Sequence, residues 1–260
     1  MTNPRPLAVT ILGTGTSQGI PVIGCTCEVC RSADPRDQRL RVSALLSWGG
    51  HHVVIDTGPD FRQQMLRAAP DHLDAVLLTH EHNDHIIGLD DVRPFNFRQG
   101  GNLPVYGLPR VVEEVRRRFA YVFAEQRYPG APMIELHQVE ADQPIVIGDR
   151  TIMPLSVMHG SLPILGYRTG DFAYLTDVKT LPASTIARLR GLHTLVVNAL
   201  HHRPHHSHLN LAEALELIKV IRPEQAFLTH VSHSMGRHAE VAETLPPGVH
   251  LAYDGLKIEL

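Results

Sequence analysis

The sequence predicts an α/β protein in which β-sheets pack on one another and helices cover them from outside. Three observations predict it. Short apolar runs of strand length recur along the chain between turn residues. Some runs follow one another directly, while others alternate with longer stretches of helical period, a mixture that a simple doubly wound sheet does not show. One helix carries its own start signal, because Asn210 precedes Leu211–Ile221 and Glu213 follows three residues later, the pattern of a capping box.

In chain order, strands are expected at Ala8–Leu12, Ser43–Trp48 and Val53–Asp56, with a helix at Asp60–Ala69 before the next strand, Ala75–Thr79. Leu103–Tyr106 leads to a helix at Pro109–Ala124, where a proline can open the first turn. Ile145–Ile147, Thr151–Met158, Leu165–Arg168 and Phe172–Thr176 then run as consecutive strands. Beyond them a helix at Pro182–Leu189, a strand at Thr194–Asn198, the capped helix and a strand at Ala226–Thr229 alternate. A helix within Arg237–Thr244 and strands Val249–Tyr253 and Leu256–Leu260 close the chain. No low-complexity linker or sustained repeat intervenes, so residues 1–260 are expected to form one domain.

With 43% hydrophobic and 20% charged residues, the 260-residue chain has the composition of a soluble globular protein with a large core. Prolines at 4 and 6 and the lack of an apolar stretch argue against a signal peptide, and no run nears the roughly 18 apolar residues of a membrane span. The three cysteines, all between 25 and 30, cannot build an even disulfide framework, which points to a reduced, cytoplasmic setting. A net charge of −3 argues against wrapping a long nucleic acid and leaves a small anionic substrate open. A homodimer is the assembly carried forward.

The 18 histidines matter through their placement. Leu77-Leu78-Thr79-His80, Tyr174-Leu175-Thr176-Asp177 and Phe227-Leu228-Thr229-His230 are apolar runs closed by threonine and then a metal-capable residue, and Val157-Met158-His159 and Val54-Ile55-Asp56 end similarly. Such endings imply rigid strands whose last side chains converge on one cleft. The strongest signal is His80-Glu81-His82-Asn83-Asp84-His85. In extended backbone His80 and His82 point the same way and can share an ion, while a turn after Asn83 offers Asp84 and His85 to a second. Imidazole and carboxylate donors suit Zn²⁺, Mn²⁺ or Fe ions. The alternative is a solvated polar loop before a helix starting near Asp84.

Thr79-His80-Glu81-His82-Asn83-Asp84-His85 resembles the T-H-x-H-x-D-H signature of the metallo-β-lactamase superfamily, with His159, Asp177 and His230 in the order of its later motifs and Asp56 like its early aspartate. The resemblance spans nearly the whole chain. It implies an αββα sandwich of two mixed sheets flanked by helices, with two divalent metals at one edge. His80, His82 and His159 would hold the first and Asp84, His85 and His230 the second, with Asp177 bridging and Asp56 orienting a ligand. Two metals about 3.5–4 Å apart can share a hydroxide, lower its pKa and stabilise charge on a phosphodiester, with the bridging hydroxide as attacking group.

Cys25-Thr26-Cys27-Glu28-Val29-Cys30 offers three close thiolates for a structural zinc, small loop and all, with His233 as the expected fourth ligand because it lies three residues beyond His230. With Gly13-Thr14-Gly15-Thr16-Ser17-Gln18-Gly19 and the ending Tyr253-Asp254-Gly255-Leu256-Lys257-Ile258, the triplet resembles the branch of the phosphoribosyl 1,2-cyclic phosphate phosphodiesterase of the carbon–phosphorus lyase pathway. Asp56-Thr57-Gly58-Pro59-Asp60-Phe61-Arg62 departs from that enzyme and resembles the branch's broader members. By itself the glycine-rich stretch implies only tight turns.

His201, His202, His205, His206 and His208 crowd the segment before the capped helix. His208-Leu209-Asn210 resembles the histidine-plus-helix segment of the superfamily's phosphodiesterases, which implies a general acid, and an imidazole near its ordinary pKa of about 6.5 can donate at neutral pH. His208 and Asp84 are thus the residues expected in the chemistry. The expected function is hydrolysis of a small or cyclic phosphodiester. A thioester or lactone hydrolase on the same metals, and a non-enzymatic protein resembling pyrroloquinoline quinone biosynthesis protein B, are the alternatives. Arg168 and Lys179 are read as exposed basic residues that could also reach a phosphate.

Overall fold

The computed structural model describes residues 5–260. Its strands are β1 (Ala8–Gly13), β2 (Ser43–Trp48), β3 (His51–Ile55), β4 (Ala75–Leu77), β5 (Leu103–Gly107), β6 (Ile134–Gln138), β7 (Ile145–Ile147), β8 (Arg150–His159), β9 (Leu162–Thr169), β10 (Phe172–Leu175), β11 (Thr194–Asn198), β12 (Gln225–Thr229), β13 (Val249–Leu251) and β14 (Lys257–Glu259). The helices are α1 (Phe61–Ala68), α2 (Asn83–Ile86), α3 (Arg93–Gln99), α4 (Pro109–Arg118), α5 (Ala183–Arg188), α6 (Leu211–Ile221) and α7 (His238–Thr244).

The strands form two seven-stranded mixed sheets, ordered β14-β1-β2-β3-β4-β5-β6 and β13-β12-β11-β10-β9-β8-β7. Alternation along each strand sets three layers of core. Val53 and Ile55 of β3 and Val196 of β11 point between the sheets, where they meet Leu77, Tyr167, Tyr174 and Phe227. Val54 points the other way, into the layer under α1, α3 and α4 with Phe61, Phe95 and Val115. Leu195 and Val197 face the layer under α6 and α7 with Ile218 and Val241. The αββα sandwich expected from the sequence is the observed architecture.

Two elements depart from expectation. β6 reads Ile-Glu-Leu-His-Gln and pairs along one side only, with β5, so its half-solvated sequence lacks an apolar run. α3 reads Arg-Pro-Phe-Asn-Phe-Arg-Gln, with proline in its first turn and Gly100 in the left-handed region as its stop. Asp60 does not start α1: its carboxylate accepts from Arg41 N at 2.8 Å and Arg41 Nη1 at 3.1 Å, and the helix begins at Phe61. The capping box of α6 forms as expected, with Glu213 N donating to Asn210 Oδ1 at 2.8 Å. The glycine-rich stretch is a packing feature, since a Cβ at Gly13 would lie 2.0 Å from the Arg41 carbonyl oxygen and one at Gly15 2.9 Å from that of Arg39.

Candidate metal centre

β3 runs parallel to β4, and β10, β11 and β12 run parallel to one another, so the C-terminal ends of each group open on one edge. The residue that follows β3 is Asp56 and the one that follows β12 is His230; Asp177 comes two residues after β10 and His159 ends β8. Asp56, Asp177 and His230 all occupy the left-handed region, at φ 62°, 57° and 52°. The conformation turns each chain sharply out of its strand, at a cost of about 1–2 kcal/mol per residue. The second sheet also braces the segment leading to His80. Leu165 N donates to Thr79 O at 3.0 Å and Tyr167 Oη to Leu78 O at 2.6 Å.

These strand ends bring together every residue the sequence nominated for the centre. His80, His82 and His159 form one group whose donor atoms lie within 4.8 Å of one another, and Asp84, His85 and His230 form a second. Asp177 joins His80 and His85 in a third such group, between the other two. Asp84 and His85 reach the site from α2, a helical turn starting at Asn83 where the sequence suggested a simple turn.

Neighbouring atoms fix which ring nitrogen faces inward. Asp56 accepts from Thr79 N and Thr79 Oγ1, both at 2.8 Å, and from His85 Nδ1 at 2.7 Å. With its proton committed to Asp56, Thr79 Oγ1 accepts from His80 Nδ1 at 3.0 Å. His159 Nδ1 donates to the carbonyl oxygens of Asp177 and Ser207, each at 3.0 Å. The opposite nitrogens of His80, His85 and His159 are left facing the cluster. His80 Nε2 lies 2.9 Å from His82 Nδ1, and His85 Nε2 lies 3.4 Å from carboxylate oxygens of both Asp84 and Asp177. His85 Nε2 and both ring nitrogens of His230 are buried with no hydrogen-bond partner among the described residues. Buried nitrogens aimed at one another and at carboxylates fit divalent cations, which supply the charge such a cluster lacks.

The electrostatics agree. Burial, then the nearby imidazoles, pushes His80, His82 and His230 below the ordinary histidine range, keeping them neutral as ligands must be. Burial opposes charge on Asp177, but His230, His85, His80 and His208 hold its carboxyl well below the usual range. His85 is the exception: Asp56, Asp177 and Asp84 surround it and raise it well above its ordinary value against burial, so it holds a proton that a bound cation would replace.

His208 stands at the same edge, its ring 4.6 Å from that of His159 and 4.8 Å from that of His230. Its Nδ1 is 3.6 Å from Asp177 Oδ1. The expectation of an unperturbed imidazole is corrected here: burial and then His230 push it down to about 3. His205 lies one ring away, 5.0 Å from His208.

The cysteines form a separate cluster. Cys25, Cys27 and Cys30 place Sγ at 3.3, 3.4 and 3.5 Å from His233 Nδ1, so the fourth donor is the one the sequence nominated. The Cys30 N–H, followed by the neighbouring thiols and His233, lowers Cys27 to about 6, against the effect of burial, whereas burial raises Cys30 to about 11.

Of the residues outside these clusters, Arg118 was not foreseen. From the end of α4 its Nη1 donates to Glu81 O and to Asn83 Oδ1, both at 2.7 Å, while Glu114 accepts from its Nε at 3.0 Å. It clamps the loop carrying His80, His82 and Asp84. The run Arg116-Arg117-Arg118 offered only a basic helix end as a signal. Lys179 pairs with Glu213 at 2.8 Å, and Arg168 donates to the carbonyl oxygens of Gly170, Arg188 and Arg190.

The comparisons with known proteins agree with this geometry. The model of the beta-lactamase superfamily domain matches residues 51–231. A solved diphosphatase of the PhnP family is 40% identical, with a TM-score of 0.92 over 98% of this chain and 97% of that one. Zn²⁺-bound PqqB from Methylobacterium extorquens shares the fold at 19% identity, with a TM-score of 0.81 over 97% of this chain and all of its own. An octanoyltransferase of Porphyromonas gingivalis is 45% identical over 95% of this chain, which spans only 50% of that protein's length. The chain belongs to the metallo-β-lactamase superfamily, in its PhnP branch.

Proposed function

We propose that this protein is a phosphodiesterase for small or cyclic phosphodiesters, working with two divalent metal ions. His80, His82 and His159 would hold one ion and Asp84, His85 and His230 the other, with Asp177 shared between them. When bound, the pair supplies Lewis acidity that activates water and screens the charge of phosphoryl oxygens.

The chain's own residues complete the chemistry. Asp56 and Thr79 orient His85 and His80, and the carbonyls of Asp177 and Ser207 orient His159. The observation that carries the reading is the placement of His208, beside Asp177 and against the rings of His159 and His230. An anionic phosphodiester entering there raises the proton affinity of His208, which then donates to the leaving oxygen. The diphosphatase relative supports phosphorus as the reacting centre and extends the candidate substrates to small diphosphates.

A second reading, hydrolysis of acyl thioesters at the same cluster, is favoured by the octanoyltransferase relative. One experiment separates them. Purified protein is assayed on bis(p-nitrophenyl) phosphate, a diphosphate diester and an octanoyl thioester, alongside His208→Ala. Phosphodiesterase activity should fall by about 10²–10⁴-fold in the variant with metal content unchanged. Phosphodiesterase activity retained in the variant overturns the general acid, and turnover of the thioester alone overturns the phosphodiesterase.

A further inference from the structure

A third group of metal-capable side chains lies at the other end of β3 from Asp56. His52 pairs with Ser47 across the β2–β3 hairpin. Asp71, His72 and Asp74 come from the loop between α1 and β4. Asp74 is held in place, its Oδ2 accepting from His52 N at 2.7 Å and its Oδ1 lying 3.0 Å from His51 Nδ1.

Each of the two imidazoles has one nitrogen engaged from behind. Ser47 Oγ lies 2.9 Å from His52 Nδ1, and Asp74 Oδ2 lies 3.3 Å from His72 Nε2. The remaining nitrogens turn to a single atom: Asp71 Oδ1 is 2.7 Å from His72 Nδ1 and 3.4 Å from His52 Nε2. A hydrogen bond accounts for the first approach; the second, like the contact of Asp74 with His72, is longer than an ordinary hydrogen bond. Two rings 5.0 Å apart, each approached by an outer partner and each turning its other nitrogen to the same carboxylate, have the form of a metal site with supporting contacts behind it.

We propose that His52, His72 and Asp71 bind a divalent cation of the Zn²⁺ or Ni²⁺ class, independently of the two clusters at the opposite sheet edge. Two imidazoles and a carboxylate are donors those ions prefer over Mg²⁺ or Ca²⁺. All three donor atoms fall within 4.8 Å of one another. Both His52 and Asp71 line a cleft of about 610 Å³, which has room for water or a further ligand to complete the coordination. A bound ion would staple the loop ahead of β4, the strand that leads to His80, onto the β2–β3 hairpin.

The test uses the full chain saturated with Zn²⁺, freed of loosely held metal by gel filtration and titrated with Ni²⁺ by calorimetry. Wild type should take up one equivalent that His52→Ala/His72→Ala does not. Asp74→Asn, which removes only an orienting carboxylate, should weaken that step about 10–100-fold. His72→Ala alone lies in a loop and serves if the double variant does not fold. Equal uptake by wild type and the His52/His72 variants overturns the proposal, as does the absence of any extra equivalent at millimolar Ni²⁺. Loss of the equivalent in His205→Ala/His206→Ala instead would place the ion on the histidine-rich loop and overturn it equally.

Discussion

His230 and His233 stand three residues apart, yet the clusters they belong to are held by different means. The His/Asp centre is framed by strands of both sheets, and His80, His85, Asp177 and His230 are each at most 2% exposed. His80, His85 and His159 keep their places through hydrogen bonds to Thr79, Asp56 and backbone carbonyls, and these partners are themselves buried. The cysteine cluster sits in a stretch without helix or strand, where Ile23 is 98% exposed and Val29 is the buried apolar residue. One arrangement is preorganised by folding and would lend its geometry to bound ions. The other has little packing of its own, so a bound ion would supply its order, as in small zinc-stabilised modules.

That contrast is broken or sharpened by paired substitutions. In His85→Ala the loss of one ion's contribution, several kcal/mol of transition-state stabilisation, should lower hydrolysis on the order of 10³-fold. The melting temperature should move by no more than a few degrees. Cys27→Ser should do the reverse, lowering the melting temperature by roughly 5–10 °C at about 2–4 °C per kcal/mol, with activity preserved at temperatures well below the transition. Calorimetry and kcat/KM on the same preparations decide it. A Cys27→Ser protein that melts normally but has lost its activity would erase the distinction.

A smaller effect is expected at Arg118, whose two bonds at 2.7 Å hold the loop between the first metal-binding residues. Charge-assisted hydrogen bonds are worth about 1.5–3 kcal/mol. Arg118→Ala should therefore weaken metal binding at the His/Asp centre about tenfold, measured by competition with a chelating dye, while the cysteine cluster keeps its zinc.

The smallest effect is in pH. His80, His82, His208 and His230 are all pushed below the ordinary histidine value, so on acidification from pH 7 to 5 the unfolded chain takes up protons that the folded one refuses. His85, raised by its three carboxylates, works in the opposite sense, as do Asp56 and Asp254, which burial raises, but His52, His205 and His238 are lowered as well and leave the histidines in the majority. Metal-free protein should lose stability steadily across that window in denaturant titrations. Stability that rises instead would mean the carboxylate–imidazolium pairs outweigh the burial of neutral rings.

Much of this was legible in the sequence because the strands that matter are buried on both faces, which demands unbroken apolar runs that end abruptly at a polar side chain. Leu77-Leu78-Thr79-His80 and Phe227-Leu228-Thr229-His230 could hardly be read otherwise. β6 escaped because its strand is half solvated, and α3 because Pro94 and two separated phenylalanines imitate a loop. Arg118 escaped because its partners are a backbone oxygen and an asparagine 35 residues away, which no local pattern encodes. The proton affinity of His208 was misjudged because burial is a property of the fold, and neighbouring residues in the chain do not reveal it.

The left-handed turns at Asp56, Asp177 and His230 bear on how freely these positions can vary. Aspartate, asparagine, histidine and glycine visit that region far more readily than other residues, and β-branched side chains almost never do. Donor chemistry and backbone shape therefore screen the same three sites independently. A survey of all single substitutions should find asparagine tolerated by the fold yet inactive there, and valine or isoleucine costing stability as well as activity. Each position would thus separate what the fold tolerates from what the chemistry requires.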